Sequence, residues 1–60
     1  MLNKNLKYYR LKKNMSKKEL ASRIGVTPMA VTYYESGERR PDMKTIKALA
    51  KALGVKTADF

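Results

Sequence analysis

The chain has 60 residues, 14 Lys+Arg against 5 Asp+Glu, and a formal net charge of +9. That length allows one domain with a thin core, which buries only about 60% of the surface its unfolded form exposes. It contains neither Cys nor His, which excludes a disulfide, a thiolate or imidazole zinc site and a histidine-based catalytic triad.

Residues 2–13, LNKNLKYYRLKK, read as a first helix with Leu2, Leu6, Tyr9 and the stem of Lys13 on its buried side. Arg10 falls at the edge of that side, next to Tyr9 and one helical turn from Leu6. Tyr8 faces solvent by the same period, where it can serve a protein contact. Asn14 terminates the helix, and Met15 packs inward ahead of a cap at Ser16.

A second helix opens at Ser16 with a capping box. The hydroxyl accepts from the Glu19 amide, and the Glu19 side chain reaches back. Leu20, Ala21 and Ile24 form its apolar face, and Gly25 stops it in a left-handed conformation. Val26 returns to the core. Thr27 caps a third helix whose first position is Pro28, where the missing N–H has no intrahelical partner to lose. Gly37 closes it. Ala30, Val31 and Tyr34 point toward the second helix, while Pro28, Met29, Thr32, Tyr33 and Ser36 point outward. The outward stripe carries no charge in a chain of which 32% is charged. It reads as a surface built to touch something.

The linker Glu38-Arg39-Arg40-Pro41 sets paired arginines beside the helix end. They suit phosphate or minor-groove contact, or a merely solvated loop. Asp42 caps a fourth helix, Met43 to Leu53, with Met43, Ile46, Leu49, Ala50 and Leu53 inside and Lys44, Lys47 and Lys51 outside. Gly54 ends it, and Val55 is the apolar contact beyond. Thr57 is placed as the N-cap of a further helix that stops one turn in, and fraying near residue 60 is expected. The fold class is all-α: a compact bundle of four helices plus the start of a fifth.

Charge is unevenly spread along this plan. Up to Arg23 there are eight basic residues (Lys4, Lys7, Arg10, Lys12, Lys13, Lys17, Lys18, Arg23) against Glu19 alone, and the third helix has no basic residue. The cations surround the neutral stripe, as in DNA binding, where phosphates are met at the edges and bases at the centre. The overall charge points to a polyanionic partner. The acids Glu19, Glu35, Glu38, Asp42 and Asp59 are scattered and offer no facing pair for acid–base chemistry. No enzyme, cofactor or metal site is expected. No apolar run approaches the roughly 18–20 residues of a membrane span, and the start, Met-Leu-Asn-Lys-Asn, lacks a signal peptide's apolar block. A cytoplasmic location on the nucleoid is expected.

The stretch from Ser16 to Gly37 resembles the helix-turn-helix of lambda-repressor-like, Cro-type (xenobiotic-response-element) DNA-binding domains. The resemblance rests on Ser16, Glu19-Leu20-Ala21, Ile24-Gly25-Val26-Thr27, Val31, Tyr34-Glu35 and Gly37, and runs on through Pro41 and Ile46 to Val55. It implies a repressor-like transcriptional regulator that binds double-stranded DNA sequence-specifically, with the third helix in the major groove. It places Pro28, Met29, Thr32, Tyr33 and Ser36 at the bases, and Lys17, Lys18, Thr27, Arg39 and Arg40 at phosphates. It also pairs Arg10 with Glu35 in a structural salt bridge, since half-buried ions need partners. The base-facing positions carry no Arg, Gln or Asn. Direct readout should therefore be weak, with some A·T preference and reliance on DNA shape. Family members complete a fifth helix beyond residue 57, so residues 1–60 are expected to be the N-terminal domain of a longer protein. A homodimer on DNA, held through such a further region, is the expected assembly.

Two rivals stand beside this reading. In one, the neutral stripe of the third helix binds protein, as in an adaptor or an antitoxin. In the other, the basic first helix lies on a membrane surface, which the caps of the remaining chain argue against.

Overall fold

A computed structural model describes residues 2–60, which form α1 (Leu2–Lys12), α2 (Lys17–Ile24), α3 (Pro28–Ser36), α4 (Met43–Leu53) and a closing 3-10 turn at Thr57–Asp59. No strand occurs among the described residues.

Caps set the boundaries. Ser16 Oγ accepts from the Glu19 N–H at 3.0 Å, Thr27 Oγ1 from the Ala30 N–H at 3.1 Å, and Asp42 Oδ1 from the Thr45 N–H at 2.8 Å. Each satisfies an amide that the first helical turn leaves without a carbonyl. Asn14 leaves α1 at a φ of 56°, a left-handed value that asparagine tolerates better than most residues. Gly25 turns the chain from α2 toward α3 at a φ of 75°, where a Cβ would meet nothing within 4 Å. Backbone conformation alone therefore favours glycine there.

The helices meet around Leu6, Met15, Leu20, Ala21, Ala30, Val31, Tyr34, Leu49 and Leu53, with Tyr9, Ile24, Val26, Ala52, Val55 and Phe60 packed on the outside of that cluster. Leu6, Leu20, Val31, Leu49 and Leu53 are sealed from solvent, each contributing about 1.5–3 kcal/mol by its burial. α3 packs on both α1 and α2, and α2 also on α4. The third helix is thereby fixed from two sides while its remaining face stays open.

Several local expectations need correction. Lys13 lies beyond α1 and is exposed, with no buried stem. A Cβ at Gly54 would lie 3.5 Å from its Nζ, so its ammonium sits by the C-terminal end of α4, where a cation is favoured. Met43 is 60% exposed rather than internal. It opens α4 at the rim of a hollow shared with Leu2, Ile46 and Phe60, beyond the reach of covering helices. Only half of the capping box at Ser16 forms, because the Glu19 carboxylate lies 3.9 Å from Arg23 instead. Thr57 begins the last turn and does not cap it. Asp59 Oδ2 accepts from the Lys56 N–H at 3.0 Å and makes Lys56 the cap position. At the end near residue 60, Phe60 stands edge-on to Tyr9 at 6.3 Å, and Asn5 Nδ2 donates to the Asp59 carbonyl at 3.2 Å.

Candidate nucleic-acid interface

α3 is held at its inner face by three buried residues, Ala30, Val31 and Tyr34, and at its C-terminal half by an ion pair. Arg10 Nε and Nη2 donate to the two carboxylate oxygens of Glu35, the latter bond at 3.1 Å, while Nη1 donates to the Met15 carbonyl at 2.8 Å. The two side chains are 7% and 5% exposed. Removing charges from water is costly unless every donor and acceptor finds a partner. Here each guanidinium nitrogen has one, and no buried side-chain N or O among the described residues is unpaired. The pair locks α3 against α1 and leaves the opposite face of α3 outward.

That outward face holds the five residues assigned to the bases. Pro28, Met29 and Ser36 are exposed, and Met29 retains 56% of its surface. Thr32 and Tyr33 are half-buried, and each meets a cation. Lys17, reaching over from α2, donates from Nζ to Thr32 Oγ1 at 3.1 Å. The Arg39 guanidinium lies 5.2 Å from the centre of the Tyr33 ring, within cation–π range. The stripe is thus neutral along the helix but bears two cations in space. Sequence reasoning missed both contacts, because each joins α3 to a residue outside it.

Of the residues assigned to phosphates, Lys17 and Arg39 meet the stripe, whereas Lys18 lies on α2 beside Ser16, Glu19, Ser22 and Arg23. Lys18, Arg39 and Arg40 are exposed, and Thr27 is exposed with its hydroxyl engaged as the α3 cap. Arg39 and Arg40 also border an open hollow of about 390 Å³ with Leu2, Asn3, Tyr34 and Gly37. Gly37 makes the bend between α3 and the arginines at a φ of 85°, and a Cβ there would lie 3.3 Å from Asn3 Nδ2. Backbone conformation therefore favours glycine, and a side chain there would also press on the Asn3 amide. Among the described residues the only ion pairs are Arg10–Glu35 and the exposed Arg23–Glu19. The cations of the rim are consequently not neutralised by carboxylates. Asp42, next to this rim, has its carboxyl held below the ordinary aspartate range by hydrogen bonds from the Thr45 side chain and amide, with Lys44 adding to the effect.

On α1, Tyr8 is 57% exposed, packs edge-on to Tyr9 and carries Lys12 over its ring. Leu11, which the sequence pattern did not single out, is 53% exposed nearby.

A family model described as helix-turn-helix matches residues 6–60. The chain is 38% identical over 55 residues to the uncharacterized HTH-type transcriptional regulator YqaE of Bacillus subtilis, covering 92% of this chain and 47% of that protein. It is 39% identical over 55 residues to the uncharacterized HTH-type transcriptional regulator MJ0272 of Methanocaldococcus jannaschii, covering 92% of this chain and 83% of that protein. The chain thus spans about half the length of the first relative and most of the second. In structure it is similar to the P22 c2 repressor, solved in complex with a synthetic operator, with a TM-score of 0.91 at 24% identity over 95% of this chain and 86% of that one. That likeness establishes the four-helix architecture. The family match across nearly the whole chain, with these relatives, leads to one conclusion: the chain belongs to the helix-turn-helix family of the lambda-repressor and Cro type.

Proposed function

We propose that this domain binds double-stranded DNA sequence-specifically and acts as a repressor-like transcriptional regulator, with α3 lying in the major groove. The observation that carries the reading is the outward face of α3, exposed at Met29 and met by Lys17 and Arg39, two cations that no carboxylate neutralises. The names of the relatives, HTH-type transcriptional regulators, support it. So does the operator complex in which the P22 c2 repressor was solved.

In this reading Pro28, Met29, Thr32, Tyr33 and Ser36 face base edges, with Met29 and the Thr32 methyl packing on thymine methyl groups. Lys18, Arg39 and Arg40 neutralise phosphates, and Thr27 stands by the N-terminus of α3, where an anion is favoured. Lys17 stands between the two sets, its ammonium on Thr32. One domain makes few contacts, so tight binding uses a homodimer on half-sites about one helical turn apart. The setting is the nucleoid in the cytoplasm. No catalytic role is assigned: Glu19, Glu35, Asp42 and Asp59 already serve ion pairs or caps.

Selection from a pool of random duplexes tests the proposal. Recovery of a shared sequence, lost in the Lys18→Glu/Arg39→Glu variant at unchanged helicity, is the expected result. A pool that stays random after several rounds would overturn it, as would binding that survives the double charge reversal. The latter outcome would favour a protein partner for the stripe.

A further inference from the structure

The α3 stripe has none of the side chains that grip guanine or adenine by paired hydrogen bonds, yet a cation from another helix rests on it. Lys17 begins α2, and its Nζ is 3.1 Å from Thr32 Oγ1. Thr32 in turn donates to the Pro28 carbonyl at 3.3 Å. A threonine hydroxyl has one proton and two lone pairs. Its proton is committed to Pro28 and one lone pair to Lys17, so Thr32 offers a partner only its methyl group and one acceptor position. The ammonium has three protons, of which Thr32 takes one. The other two remain for a ligand, and none of the ion pairs among the described residues involves Lys17.

We infer that Lys17 is the base-reading donor of this surface: its anchored ammonium addresses O6 and N7 of a guanine, beside a thymine whose methyl packs on Met29 and the Thr32 methyl. The inference rests on α3 entering the major groove as proposed above, and it moves Lys17 from the phosphates to the bases. Its neighbour shows the contrast. Lys18 is exposed and makes no side-chain hydrogen bond among the described residues. That freedom suits a phosphate, which is a large target. Fixing a lysine head against a second helix sacrifices rotamer entropy and serves recognition only where the donor's position matters. Guanine presents both of its major-groove acceptors to a single donor group, so one ammonium suffices where amide readers need a planar pair of atoms. The preference predicted from α3 alone, A·T pairs read by methyl contacts, then becomes a mixed site with one obligatory G·C pair per half-site.

The test is selection and competition binding with the chain as it stands, comparing wild type, Lys17→Met, Lys17→Arg, Thr32→Val and Lys18→Ala. Wild type should enrich a G·C pair at one fixed position, and replacing that guanine by 7-deazaguanine should weaken binding. Lys17→Met, which keeps the stem and drops the charge, should lose preference at that pair alone, by roughly 5- to 150-fold. Lys17→Arg should retain it, since arginine makes the same guanine contact. Thr32→Val keeps the ammonium but removes its anchor and should blur the same position. Lys18→Ala should weaken all sequences alike. Matching urea midpoints for wild type and Lys17→Met establish that folding is not the variable. If Lys17→Met weakens every sequence equally, or changes nothing, Lys17 does not read bases, while sequence-specific binding stands. If wild type itself enriches no sequence, the DNA reading falls and takes this inference with it.

Discussion

Arg10 of α1 and Glu35 of α3 are joined through two side-by-side hydrogen bonds, with both side chains more than nine-tenths buried. Arg10→Ala strands the Glu35 carboxylate and frees the Met15 carbonyl. It should lower stability by about 3 kcal/mol in a urea melt. Replacing both ions at once, as Arg10→Met with Glu35→Leu, should restore stability to within about 1 kcal/mol of wild type. A single-variant loss within error of zero would contradict the burial described here.

Thr27 holds the entry to α3 through one bond to the Ala30 N–H. Thr27→Ala should cost about 1 kcal/mol of unfolding free energy, and Thr27→Ser only a few tenths. Chemical denaturation of the two variants side by side measures the difference.

Asp42 gives the acid limb of the stability curve a recognisable component. Its carboxyl titrates below its ordinary value in the folded state because Thr45 donates to the ionised form. The unfolded chain therefore binds the proton first as pH falls. The stabilisation is whole above the ordinary aspartate value of about 4, and it is lost as pH drops through the lower folded value. Asp42→Asn keeps a capping side chain that does not titrate. Thermal melts between pH 7 and pH 2 should show wild type losing more stability than Asp42→Asn over that acid interval, and equal slopes would refute the assignment.

Phe60 is tied to Tyr9 by an edge-to-face contact. Phe60→Ala should remove about 1–2 kcal/mol, part from apolar area and part from the ring pair. A thermal melt of this variant against wild type decides whether the last turn belongs to the cooperative unit.

Salt should report the rim. With three phosphates neutralised, by Lys18, Arg39 and Arg40, log K against log salt has a slope of about −2.7. Lys18→Ala should make it shallower by about 0.9. Fluorescence anisotropy over a potassium chloride series measures both, and a flat plot would leave the cations around α3 without a role.

Much of this molecule is legible in its residues because its boundaries are local. Ser16, Thr27 and Asp42 bond to amides three residues on, and Gly25, Gly37 and Gly54 take left-handed backbone at helix ends. Such signals act within one turn and do not depend on the rest of the fold. What escaped was mostly of longer reach, the bond from the Lys56 amide to Asp59 excepted. Met43 keeps the apolar period of α4 yet stands at its first position, past the covering helices. Asp59 outcompetes Thr57 for the final cap because a carboxylate three residues on can fold back to the Lys56 amide. The Lys17–Thr32 and Arg39–Tyr33 contacts depend on where two flexible cationic side chains settle across the helix boundary. No periodicity encodes that choice.

α3 is nine residues long, and an isolated peptide of that size is mostly unstructured in water. Residues 27–37, synthesised alone, would therefore carry the chemical groups of the stripe without their spatial order. Whatever this face recognises, it does so only on loan from the remainder of the domain. A lesion as remote as Leu53 or Leu6 would erase recognition as surely as one at Met29, with no contact to the ligand ever having been touched.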